Sequence, residues 1–172
     1  HFMASEPAPA DAVLPAGAPA GSIATAFDTH GFVVLRGFLQ GDALAEVQSE
    51  AARAATELPG AIPAEHCMYD DADHPSTLKQ IQQLFRHDAY FRQLMHRMQS
   101  TAEEALGEPC EPQNMQYFNK PPLSAYAGSS CCSSSRPTPP HQDGYYFMLR
   151  PPTRATTMWL ALDVADEANG CL

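Results

Sequence analysis

Pro139-Pro140-His141-Gln142-Asp143-Gly144-Tyr145-Tyr146-Phe147 is the stretch on which the reading of this chain turns. Residues 141–149 read as a strand. In a strand, positions i and i+2 project from the same face. His141 and Asp143 therefore present an imidazole nitrogen and a carboxylate oxygen to one point. That is two thirds of a 2-His-1-carboxylate facial triad, a donor set that holds non-haem iron(II) and leaves positions open. The spacing alone is unspecific: with this content of histidine and acid, roughly 0.8 such matches arise by chance. A solvated histidine beside a turn aspartate would explain it equally well, so the weight rests on the surroundings.

Downstream, a turn at Pro151-Pro152 separates this strand from a second at residues 156–164. Upstream, Met115 and Tyr117 alternate with Asn114, Gln116 and Phe118, so residues 113–119 are extended. Residues 128–135 (Gly-Ser-Ser-Cys-Cys-Ser-Ser-Ser) are a low-complexity loop tip. Earlier still, the period becomes helical. Phe91, Leu94, Met95, Met98, Ala102, Ala105 and Leu106 mark a helix closed by Gly107. Leu78, Ile81, Leu84 and Phe85 mark another, with Thr77 and Gln80 as a capping box. Leu44, Val47, Ala51, Ala54, Ala55 and Leu58 mark a third behind an Asp42 cap, stopped by Pro59-Gly60. A short helix over residues 25–30 ends at Gly31, and Phe32-Val33-Val34-Leu35 is a strand. Helices first and strands last is the layout of an α+β protein.

Composition bounds the rest. The 172 residues suit one domain, and 44% apolar residues suffice for its core. A net charge of -10 argues against nucleic acid or anionic membrane as partners. No apolar run approaches the length of a membrane span. Five cysteines without C-x-x-C spacing indicate neither a disulfide framework nor zinc, which points to a reduced, intracellular setting, cytoplasmic by default. Residues 1–21, rich in Pro, Ala and Gly, read as a disordered leader, leaving 22–172 as the folded part.

Read together, several blocks resemble the phytanoyl-CoA dioxygenase family. They are His30-Gly31-Phe32-Val33-Val34-Leu35-Arg36-Gly37-Phe38-Leu39, Gln116-Tyr117-Phe118-Asn119-Lys120-Pro121-Pro122, the His141-Gln142-Asp143 stretch, Met158-Trp159-Leu160-Ala161-Leu162-Asp163 and Glu167-Ala168-Asn169-Gly170-Cys171-Leu172. They fall in the family's order. The resemblance implies an Fe(II)- and 2-oxoglutarate-dependent dioxygenase on a double-stranded β-helix (a jelly-roll, cupin-like) with N-terminal helices. Such an enzyme couples decarboxylation of 2-oxoglutarate by O2 to hydroxylation of an unactivated C–H, here of a small or lipid-like organic substrate. By the same resemblance His141 and Asp143 fall on the two proximal iron ligands. Lys79, on the first turns of its helix, matches a lysine aimed at a 2-oxoglutarate carboxylate; Met115 and Trp159 match positions packed around that co-substrate. Exposure or ordinary core packing would account for these three residues as well. A carboxylate at 143 favours hydroxylation over the halogenation of related enzymes that carry a small residue there. The acidic balance argues mildly against a strongly anionic CoA ester.

The sequence also departs from the family. A distal histidine and an arginine for the far carboxylate should follow well downstream, yet no histidine follows His141, and Arg150 and Arg154 sit too close to it. The expectation is therefore a C-terminally truncated piece of the domain, carrying only the first part of the barrel. Such a segment would be inactive and poorly soluble, or dependent on a partner. The alternative is a truncated, non-catalytic relative acting as a binding or structural module. Three further patterns carry less. Ser76-Thr77-Leu78-Lys79 matches S-x-x-K without its companion motifs. Cys131-Cys132 with Cys110 and His141 has the wrong spacing for zinc. Asp70, Asp71 and Asp73 between His66 and His74 read as solvated surface.

Overall fold

The computed structural model describes residues 7–120, 125, 127, 141, 143–151 and 154–166. The Cys131-Cys132 loop, Gln142 and the closing Glu167-Ala168-Asn169-Gly170-Cys171-Leu172 lie outside them. The architecture is mixed: five helices and two small sheets among the described residues, an α+β arrangement. No closed barrel forms among those residues.

Strand β1 (Val13–Pro15) runs parallel to β2 (Val34–Arg36), with Val13 opposite Val34. The span read as a leader thus contains paired backbone, and Ala12 beside it is fully buried. Its Pro/Ala composition hides a Val-Leu pair that a neighbouring strand can engage. Between the strands, α1 (Ser22–His30) ends where the sequence placed its end. Gly31 takes φ 76 and returns its N–H to the Phe27 carbonyl at 2.8 Å. A left-handed residue at that position is tolerated best without a Cβ.

Helix α2 (Gly41–Glu57) buries Val47, Ala51 and Ala54, the stripe read from its period. Asp42 lies in its first turn, one residue inside the start, and Gln40 precedes the helix without a side-chain cap. Helix α4 (Ala89–Leu106) follows the short α3 (Leu84–His87) and is capped by Asp88. The Asp88 Oδ1 accepts the Tyr90 and Phe91 N–H groups at 2.8 and 3.4 Å, while Oδ2 accepts Arg53 of α2 at 2.6 Å. Burial alone would push the Asp88 carboxyl up; Arg53 and the two backbone donors outweigh it and hold it below its ordinary value.

The second sheet has the order β3 (Cys67–Tyr69), β4 (Leu78–Ile81), β5 (Tyr117–Phe118), all antiparallel. Here the expectation of a helix from Leu78 onward is corrected: Leu78–Ile81 is a strand. Cys67 faces Ile81 and Met68 faces Gln80, but Tyr69 then faces Leu78, so Lys79 is an extra residue in a β-bulge. The bulge lets Leu78 and Ile81, three apart, both enter the core. Three-residue spacing imitates a helical period. Thr77, fully buried, does not cap a helix; its Oγ1 accepts the Asp71 N–H and lies 2.8 and 2.7 Å from the carbonyls of Asp71 and His74.

Val47, Ala54, Leu58, Leu78, Ile81, Leu84, Phe91, Leu94 and Met98 form one core cluster. At about 1.5–3 kcal/mol per buried large side chain, this cluster outweighs the short ladders in holding helices to sheet. Residues 113–119 narrow to the two-residue β5. Their extended course still receives the Leu84 N–H at the Met115 carbonyl and sends the Asn119 N–H to the Lys79 carbonyl.

The strands expected at 141–149 and 156–164 are also corrected. Asp143–Tyr146 is a helical turn, α5, with the Phe147 N–H on the Asp143 carbonyl. Residues 156–164 join no ladder. Yet 157, 159 and 161 are exposed while 158, 160 and 162 are not, the alternation of an extended chain over a core. Gln48 of α2 fastens this segment by donating to the Leu162 carbonyl at 2.6 Å.

Candidate metal centre

Side-chain parity on the β3-β4-β5 sheet defines its two faces. Cys67, Tyr69, Leu78, Ile81 and Tyr117 pack on the core. Met68 and Gln80, paired across the ladder, point the other way, and Phe118 opposite Gln80 joins them. Trp159 lies against Phe118, ring centroids 5.5 Å apart. It is half exposed, at 52%. Thr157, two residues earlier and of the same parity, donates from Oγ1 to Oδ2 of Asp143 at 2.7 Å. The extended segment 157–159 thus ties the Asp143 turn to the open face of the sheet.

At that turn His141 Nε2 stands 3.3 Å from Asp143 Oδ1. The sequence expected this pair to converge through the pleat of a strand. They converge instead because Asp143 opens a helical turn and His141 lies two residues before it. A neutral imidazole nitrogen and a carboxylate oxygen suit iron(II), so the residues present fit that metal as two of its ligands. No group of three or more His, Cys, Asp or Glu side chains converges among the described residues.

Of the other candidates, Lys79 sits in the bulge with its Nζ 3.5 Å from Asp70 Oδ1. Its side chain is 15% exposed and that of Asp70 only 5%. Lys79 is therefore not on a helix, and Asp70 is not solvated surface. The acidic loop closes on itself, since Asp71 pairs with His74 at 3.0 Å. Met115 packs on the core side of the sheet, apart from the open face. Ser76 donates to the Ala125 carbonyl at 2.6 Å, on a turn rather than a helix, and Lys79 is engaged by Asp70; an S-x-x-K nucleophile is not assembled. Cys110 and Cys67 are free thiols that burial pushes above the ordinary value, the opposite of what a metal-ligating thiolate needs.

Sequence reasoning missed Thr157 and Asp70. Thr157 carried a usable signal, lying two residues before Trp159 in an alternating run. Asp70 carried none, because an acid in an Asp-rich loop is ordinarily exposed.

The family model for phytanoyl-CoA dioxygenase (PhyH) matches residues 27–172. No curated protein and no solved structure matches the chain. No helix among the described residues is long and apolar enough to cross a membrane. The matched span begins within α1 and takes in the bulged strand, the Thr157–Trp159 segment and the His141–Asp143 pair; the chain belongs to the phytanoyl-CoA dioxygenase family.

Proposed function

We propose that this chain is an Fe(II)- and 2-oxoglutarate-dependent dioxygenase that hydroxylates an unactivated C–H of a small or lipid-like organic substrate, on a jelly-roll domain. The observation that supports it best is the 3.3 Å approach of His141 Nε2 to Asp143 Oδ1 within a span matched by the family. Iron bound at these two residues would supply the activation of O2 that the hydroxylation requires.

The chain's own residues do the positioning. His141 offers its Nε2. Asp143 offers Oδ1, while Thr157 occupies Oδ2 and fixes the carboxylate plane. Lys79 offers an ammonium for a co-substrate carboxylate, and Trp159 with Phe118 supplies an apolar wall. The natural gene product, supplied with Fe(II), 2-oxoglutarate and O2, should form succinate. His141→Ala and Asp143→Ala should each reduce succinate to background and abolish Fe(II) binding measured directly. A wild-type protein that binds Fe(II) no better than these variants would overturn the reading.

A further inference from the structure

We infer that His66 and His87 form a metal site of their own, a two-imidazole clamp for a divalent transition metal that favours square-planar geometry, such as Cu(II). Neither His141 nor Asp143 takes part, so the site stands whether or not the oxygenase reading holds. His66 Nδ1 and His87 Nε2 lie 2.8 Å apart, with ring centroids 5.0 Å apart and planes tilted by 52°. Two metal–nitrogen bonds of about 2.0 Å meeting at a right angle span about 2.8 Å, whereas a tetrahedral ion needs about 3.3 Å. The spacing matches adjacent corners of a square plane and is short for zinc.

Different elements bring the two rings together. His66 closes the turn Ala64–His66 at the entry to β3; its N–H donates to the Pro63 carbonyl at 2.9 Å, and its carbonyl accepts the Gln82 N–H at 2.8 Å. His87 ends α3, which the buried Leu84 anchors to the core. Both donor atoms are thus placed by backbone before a metal arrives. Both rings are half-buried, so solvent reaches them to complete the coordination shell. No third His, Cys, Asp or Glu joins among the described residues. Cys67 follows His66, but it packs on the core and burial pushes its thiol up. Burial, then His66, then Arg86 hold the His87 ring below its ordinary value, so a proton competes poorly for its nitrogen. Arg86 opposes a cation there, but its guanidinium lies over the Phe85 ring, 5.6 Å from the centroid. In the neutral pair one inner nitrogen donates its N–H to the other. On metal binding that proton moves to the outer nitrogen of its own ring, and each inner lone pair forms a bond to the metal.

The test is Cu(II) titration of the natural gene product carrying His141→Ala, which removes the imidazole of the other pair and keeps the outcome independent of the iron reading. Pulsed electron paramagnetic resonance on the first equivalent should show two imidazoles on one copper. Adding His66→Gln or His87→Gln should remove one of them. Affinity should then fall by more than the roughly 10–100-fold that losing an outer-shell partner costs. Glutamine variants that bind Cu(II) like their parent, or a parent whose copper carries at most one imidazole, overturn the inference. Where a glutamine variant does not fold, nuclear magnetic resonance of the parent decides. The first equivalent should broaden the ring signals of His66 and His87 ahead of those of His30, His74 and His96; the reverse order overturns the site without any variant.

Discussion

Asp143 has two oxygens with different tasks: Oδ1 faces His141 Nε2, and Oδ2 accepts the hydroxyl of Thr157. A carboxylate held at one oxygen presents the other in a fixed plane, and such supporting bonds commonly change metal affinity by about 10–100-fold. Thr157→Val keeps the shape and removes only the donor. Fe(II) affinity should fall within that range, and Thr157→Ser should restore it; unchanged affinity in Thr157→Val would show that the carboxylate needs no such support. Thr157 and the half-exposed Trp159 share one exposed edge of the chain.

At the level of elements, the junctions between sheet and helices carry paired charges and rings. Arg53 of α2 and Asp88 at the start of α4 join two helices that feed one core. At the entry to β3, His66 Nδ1 lies 2.8 Å from Nε2 of His87, the last residue of α3. One ring must be neutral to accept that hydrogen bond. Burial, then His66, then the neighbouring Arg86 push His87 below its ordinary 6.5. The fold therefore binds a proton at His87 less readily than the unfolded chain does. Its contribution to stability is full above about pH 6.5 and is lost as pH falls through the depressed folded value. Denaturant midpoints at pH 7.5 and pH 5 should differ more in the wild type than in His87→Gln. Equal pH dependence in the two would show that the ring pair is thermodynamically silent.

Over the whole molecule, the N-terminal segment is integral to the fold. β1 pairs with β2, Asp11 meets His30 at 3.1 Å, and the Gly21 N–H donates to Oε1 of Glu104 on α4. Helix α1 between them packs along α4. Deleting residues 7–16 from the natural protein removes one strand of a two-stranded sheet and uncovers Ala12's site. The melting midpoint should drop by roughly 2–4 °C for each kcal/mol lost. An unchanged midpoint would return this segment to the status of a leader.

What the sequence determined by itself is what local chemistry controls. Gly31 and Gly107 end their helices because a left-handed residue is needed there, and both take positive φ. The apolar stripes of α2 and α4 are read from a 3.6 period, and the buried Val47, Ala54, Leu94 and Met98 fall on them. His141 and Asp143, two apart, had to lie near one another whether in a strand or a turn. The tertiary structure decided the rest. Leu78 and Ile81 mimic a helix because a bulge, created by pairing with β3, inserts Lys79 between them. Val13-Leu14 becomes a strand only because β2 lies alongside. Lys79 meets Asp70 across the bulged pairing, and Thr157 reaches Asp143 across 14 residues of sequence. Each of these depends on a partner distant in the chain, and no local pattern records where that partner will stand.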